Sequence, residues 1–241
     1  MLGFVMPSLC SPRLSFALAA VTTTACATPI PQPPPDDNLD VGSIGLPETW
    51  PTSGDALPLR GDPGAAPPGS TLRLTNLDRA DAPVVAVVAD DGSFAASVPA
   101  TREDVIRFQI ITPDGARPEP VDVRVTSEFA FEVAPTLSCF EVARQRDFGA
   151  TGVGNFALDT IVLDNACSAP ATVDQAAFRT GPAAFTFSGD FPPAVDAGEA
   201  ASFDIVFGPT GIGPFEQIVL VTVTIDGDRI RYPVSVYGRG E

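Results

Sequence analysis

Between residues 70 and 125 apolar and polar side chains alternate with a period of two. In STLRLTN (70–76), Leu72 and Leu74 alternate with Thr71, Arg73 and Thr75. In SFAASV (93–98), Phe94, Ala96 and Val98 share a face. VIRFQII (105–111) sets Ile106, Phe108 and Ile110 against Arg107 and Gln109, and PVDVRV (120–125) sets Val121, Val123 and Val125 against Asp122 and Arg124. This is the rhythm of half-buried strands. DDG at 90–92 and PDG at 113–115 are tight-turn signals between them. A second series follows: NFALDTIVLDN (155–165), AASFDIVF (200–207), EQIVLVTVTI (216–225) and RIRYPVSVYG (229–238). Here Phe203, Ile205 and Phe207 share a face, as do Val219, Val221, Val223 and Ile225. Asp226 and Gly227 are expected at a hairpin tip. No window carries a helical stripe. The pattern predicts an all-β chain: one sandwich over 55–133 and a second, of about seven strands, over 134–241.

The first 54 residues break this rhythm. Residues 1–25 have the layout of a secretory signal peptide: Arg13, a short apolar core from Leu14 to Val21, then small residues up to Ala25. The apolar core is far shorter than the roughly 20 residues that span a bilayer. TTAC (23–26) resembles a bacterial lipobox, which would make Cys26 the lipidated first residue of the mature chain. The family prefers Leu where Thr23 stands. Two other readings stay open: cleavage before Thr28, since Ala25-Cys26-Ala27 fits an A-x-A site, and a structural Cys26. TPIPQPPPDDN (28–38) favours the lipid, because an extended polyproline tether suits a domain held off a membrane. Residues 26–54 are therefore read as anchor and linker, with Trp50 either packed on the first sandwich or exposed. Ala27, rather than Asp, follows Cys26; by resemblance to the sorting rule of Gram-negative lipoproteins, this implies the outer membrane.

Composition removes chemistry. The net charge is −16, with 30 acidic residues against 14 basic ones, which opposes nucleic acid and anionic membrane surfaces. Every basic residue is Arg, and there is no His. Histidine-based triads, imidazole metal ligands, Schiff bases and phosphate-binding lysines are thereby excluded. GATGVG (149–154) and GPTGIG (208–213) lack the dinucleotide order and precede no helix, so they read as loops. DDNLD (36–40) and IDGDR (225–229) are at most weak calcium sites. No catalytic residue, metal ligand or small-molecule cofactor is expected.

Cys10 lies in the signal. Cys139 and Cys167 remain, an even number in an exported chain, where thiols tend to pair. A disulfide between them is expected, against the alternative of two buried thiols.

Two family resemblances attach to these segments. PPGSTLRLTN, ADDGSFAASVP and FQIITPDGARPEPVDV resemble bacterial Ig-like modules of surface proteins. The second block resembles the ASH/Hydin-type domain, met in bacteria as choice-of-anchor D domains with a PapD-like Ig fold. The resemblance is carried by Phe148-Gly149, a strand ending at Asn165, AAFTFSGDF (183–191), DAGEAASFDIVFGPTGIG (196–213) and YPVSVYGRG (232–240). DNACSAP (164–170) departs from the family's Asn-x-Gly, and Cys167 at that turn agrees with a bridge to Cys139. The resemblances imply Ig-like modules without catalytic residues. The expected role is a cell-envelope lipoprotein, tied to the membrane by its N-terminal lipid, that binds an envelope protein partner in adhesion or surface assembly. The alternatives are a secreted carbohydrate-binding protein using Trp50, Tyr232 and Tyr237, and a periplasmic assembly chaperone.

Overall fold

The computed structural model describes residues 39–48, 56–126, 130–181 and 184–241. Cys26, Trp50 and the leader and tether lie outside these residues. Seventeen strands are described, in the order β1 (Ile44–Gly45), β2 (Leu57–Gly61), β3 (Thr71–Asn76), β4 (Val84–Val87), β5 (Phe94–Val98), β6 (Val105–Ile111), β7 (Val121–Val125), β8 (Phe131–Val133), β9 (Phe140–Val142), β10 (Gln145–Thr151), β11 (Ala157–Asn165), β12 (Ala171–Phe178), β13 (Phe185–Ser188), β14 (Ala194–Val195), β15 (Glu199–Phe207), β16 (Gly213–Ile225) and β17 (Asp228–Gly240). The one helical element among them is a 3-10 turn at Val41–Ser43. The chain is all-β.

The first sandwich packs the sheet β1-β2-β5 against β4-β3-β6-β7-β8. The apolar members of each alternating pair form its core: Leu57, Leu59, Leu72, Leu74, Ile106, Val123 and Val125 are fully enclosed. Phe108, at 1% exposure, joins them and meets Phe131 edge-on at 5.9 Å. DDG and PDG turn the chain as expected: Ala89 N–H bonds to Ser93 O, and Thr112 N–H bonds to Ala116 O.

The linker expectation needs correction over residues 39–45. Leu39 and Ile44 are buried in the first core. Asp40 N–H bonds to Ala65 O, and the Asp40 carboxylate caps the 3-10 turn, accepting from Gly42 N and Ser43 Oγ. Ile44–Gly45 then pairs with Arg60–Gly61. Two apolar side chains and a cap dock this short segment, which is too brief to show a period in the sequence.

The second sandwich stacks β13-β15-β11-β9 on β10-β17-β16-β12-β14. The strand preceding β11 is split between the sheets: β9 pairs antiparallel with β11, and β10 pairs parallel with β17. Four strands on one sheet, with the next strand, the closing hairpin and the split first strand on the other, is the immunoglobulin strand order. Asp226 and Gly227, both at positive φ, turn β16 into β17 with two residues, a geometry that glycine at the second position makes cheap. Phe207 is the centre of an aromatic cluster with Phe185 (4.8 Å), Phe148 (5.9 Å) and Phe215 (5.8 Å). Gly238 leaves room for it: a Cβ there would come within 2.7 Å of the Phe207 ring. Asn165, fully buried, donates to the carbonyls of Ala169, Val195 and Asp196 and accepts from Cys167 N. The residues shared with the ASH/Hydin-type pattern are therefore packing and turn residues.

Cys139 and Cys167 form a disulfide, with Cα atoms 4.8 Å apart. It joins the entry of β9 to the turn after β11. With 28 residues of separation, the loop-closure model gives it about 3.6 kcal/mol. Replacing both cysteines by Ser is expected to lower the free energy of urea unfolding by about that amount while leaving the far-ultraviolet dichroism that of a β protein.

Candidate functional site

The polar members of the alternating strands in the first sandwich do not all face water. On β3, β6 and β7, Thr75 (3%), Arg107 (1%), Gln109 (2%) and Asp122 (2%) are buried. The outer face of the second sandwich, from β16 and β17, covers them. Residues 39–241 belong to one compact unit, with four sheets in layers.

Arg107 sits at the centre of the junction. Its Nε donates to Asp122 Oδ1 at 2.7 Å and its Nη2 to Oδ2 at 2.8 Å. Nη2 also donates to Pro233 O, and Nη1 donates to Ser235 Oγ at 2.8 Å and Arg144 O at 3.3 Å. All five guanidinium N–H groups are satisfied, two by the first sandwich and three by the second. Asp122 Oδ2 accepts a further bond from Arg144 Nη2 at 2.6 Å. Cross-strand pairing of Arg107 with Asp122 aligns the fork.

More arginines stitch the margins. Arg231 pairs with Asp78 at 2.8 Å. Arg117 pairs with Glu216 at 2.9 Å, and its guanidinium lies 4.3 Å from the Tyr237 ring centroid. Arg179 Nη1 donates to the carbonyls of Asn76, Arg79 and Asp81. Burial, then the charge of Asp147, pushes the Tyr237 hydroxyl above its ordinary pKa.

Beside the junction, along residues 134–138, runs a cleft of about 870 Å³. Arg124, Arg144, Arg229 and Arg231 line it, and each is paired with a carboxylate: Glu132, Asp122, Asp174 and Asp78 respectively. Arg179 also lines the cleft, its Nη1 held by backbone carbonyls rather than by a carboxylate. Among the described residues no group of three or more His, Cys, Asp or Glu is placed to hold a metal ion. Asp91 and Asp114 are held below the usual carboxylate range by hydrogen bonds from Ser93 and Thr112, the opposite of what a general acid needs.

The remaining sequence candidates scatter. The loop expectation for GATGVG needs correction, since Gly149–Thr151 end strand β10 and only 152–154 turn; that turn meets GPTGIG at one corner, where Gly154 N–H bonds to Pro209 O. Phe156 (77%) and Ile212 (82%) are exposed beside them. Of the aromatic residues considered for carbohydrate, Tyr232 is 6% exposed and accepts from Leu137 N, Tyr237 lies under Arg117, and Trp50 is outside the described residues. The junction itself escaped the sequence reading, because Arg107 and Asp122 occupy the polar beat of the pattern. A charged residue at the middle of each of two adjacent strands was the available signal.

No protein-family model matches the chain, and no curated protein does. Among solved structures, the chain is similar to the ASH/PapD-like domain of human CEP192, with 16% identity and a TM-score of 0.38 over 46% of this chain and 93% of that one. It is similar to the VesB protease of Vibrio cholerae, with 8% identity and a TM-score of 0.39 over 71% of this chain and 62% of the protease. A protein of unknown function from Porphyromonas gingivalis matches over 80% of this chain and 95% of its own, with 14% identity and a TM-score of 0.32. None of the three carries an activity over to this chain.

Removing one partner of a buried ion pair strands the other. Arg107→Met leaves Asp122 with Arg144 alone and is therefore expected to cost about 3 kcal/mol in urea unfolding, the low end for a broken buried pair, while Arg107→Met/Asp122→Leu recovers part of that loss. A double variant as unstable as the single one would show that the cost lies in packing rather than in the stranded carboxylate.

Proposed function

We propose that this chain is a cell-envelope lipoprotein, tied by a lipid at Cys26 and held off the membrane by its proline-rich segment. It displays a rigid four-layer body as a non-catalytic module for protein binding in adhesion or surface assembly. The second sandwich is, on this reading, an ASH/Hydin-type domain. The observation that carries the binding role is the arrangement of the junction. Burying Arg107 and Asp122 makes two sandwiches one body, and β4 is one of the strands left at a sheet edge. That edge strand is uncharged and shows Val85 (59%) and Val87 (76%) to solvent. An unprotected edge of β-branched residues is a template for an added strand.

Two measurements test the two halves of this reading. Metabolic labelling with a clickable palmitate is expected to mark the wild type and not Cys26→Ala; label on both, or on neither, removes the anchor. A photoreactive amino acid at Val87 is expected to crosslink to an envelope protein in intact cells, and the same group at Asp226, on the hairpin tip, is not. Equal crosslinking at the two positions, or none at either, sets the β4 edge aside.

A further inference from the structure

A second, smaller cavity of about 300 Å³ opens on the other side of the junction from the Arg107 latch, between β3 and the end of β12. Its lining includes Arg73 and Thr75 from the first sandwich and Arg179, Thr180, Glu216 and Gln217 from the second. The chain as a whole carries a net charge of −16, yet this notch is cationic. Glu216 is the one carboxylate among the lining residues. It is already shared by Arg73 at 3.1 Å and Arg117 at 2.9 Å. Arg179 has no carboxylate bond of this kind: its Nη1 is held by three backbone carbonyls.

Two donors here are unmet. Nε of Arg73 and Nε of Arg179 are both buried without a hydrogen-bond partner. Buried donors are nearly always satisfied, and these two, one on each sandwich, leave both guanidinium groups short of acceptors. The electrostatics point the same way. Burial first, and then the positive charge of Arg73, hold the Arg179 pKa below its ordinary value, with Asp81 opposing. An anion between the two guanidinium groups relieves both effects. Arginine's planar fork suits phosphate and sulfate oxygens, and threonine hydroxyls and a glutamine amide are at hand for the rest.

We propose that this cavity is a binding site for a phosphate or sulfate group, held between Arg73 and Arg179 across the two sandwiches. At about 300 Å³ it stands at the lower end of small-molecule sites, with room for the group either as a free ion or as a monoester on a sugar. The site is independent of the lipid anchor and of the β4 edge.

Isothermal titration of the full chain at constant ionic strength tests it, with inorganic phosphate, inorganic sulfate and glucose 6-phosphate as separate probes. Saturable one-site binding of at least one probe is expected. Arg73→Gln and Arg179→Gln are each expected to weaken it by about tenfold or more, the worth of a charge-assisted bond. Arg60→Gln, an exposed arginine on β2, serves as the control and is expected to bind as the wild type does. Tighter binding of the sugar phosphate identifies an ester as the source of the group; binding of the inorganic anions alone identifies the free ion. Arg179 also holds the 76–81 loop, so its variant is read only if the unfolding transition stays intact, and Arg73→Gln decides the matter otherwise. No saturable heat with any probe, or undiminished binding by Arg73→Gln, overturns the proposal.

Discussion

The architecture depends on one buried ion pair. Arg107 and Asp122 stand on neighbouring strands of the first sandwich, 1% and 2% exposed. Taking two such charges out of water costs several kcal/mol per ion, and their attraction offsets this only when every remaining hydrogen bond is made. The first sandwich alone satisfies two of the five guanidinium N–H groups. Pro233, Ser235 and Arg144 of the second supply the rest. The pair is thus complete only when the sandwiches dock in this register. A strand slip by one residue would turn Ser235 inward and Val234 toward the guanidinium, since side chains alternate across a strand.

That constraint also explains where the positive charge went. Arg73, Arg107, Arg117, Arg144, Arg179 and Arg231 all bond across or along the junction. Six of the 14 basic residues are therefore gathered on faces that the sandwiches turn toward each other. The acidic excess is left outside, where it keeps a displayed body soluble and repels like-charged neighbours. Arginine suits this role better than lysine: its fork reaches several carbonyls and a carboxylate at once and stays charged when buried. Three backbone carbonyls around one Arg179 nitrogen illustrate the point.

How much of this was visible in the sequence follows from what a two-residue period reports. It separates a strand's core face from its other face, so β3, β5, β6, β7, β11, β15, β16 and β17 fell where the alternation placed them. It does not say what covers the other face. Arg107 between Ile106 and Phe108 reads the same whether water or a second sandwich lies beyond it. Short strands without a period were not legible: β2 holds a proline, β4 lies in an unbroken apolar run, and Ile44 stands alone among glycines. The Cys139–Cys167 bridge was legible from parity alone. The cationic notch was not, because its arginines are 106 positions apart and meet only through docking.

Docking that relies on polar groups has a geometric consequence. Core side chains interdigitate and leave few voids, but arginines extended over a sheet keep their planes apart and need acceptors on every edge. Where the partner sheet supplies them all, as at Arg107, the junction closes. Where it supplies only some, as at Arg73 and Arg179, a cavity with unmet donors remains. The latch and the notch are thus two outcomes of the same chemistry, and they differ in one respect. Asp122 stands opposite Arg107 on the adjacent strand, whereas Val85 and Gln109 flank Arg73. A carboxylate at either flanking position would fill the role there that Asp122 fills at the centre. Its absence leaves Arg73 with Glu216 as its carboxylate, shared with Arg117.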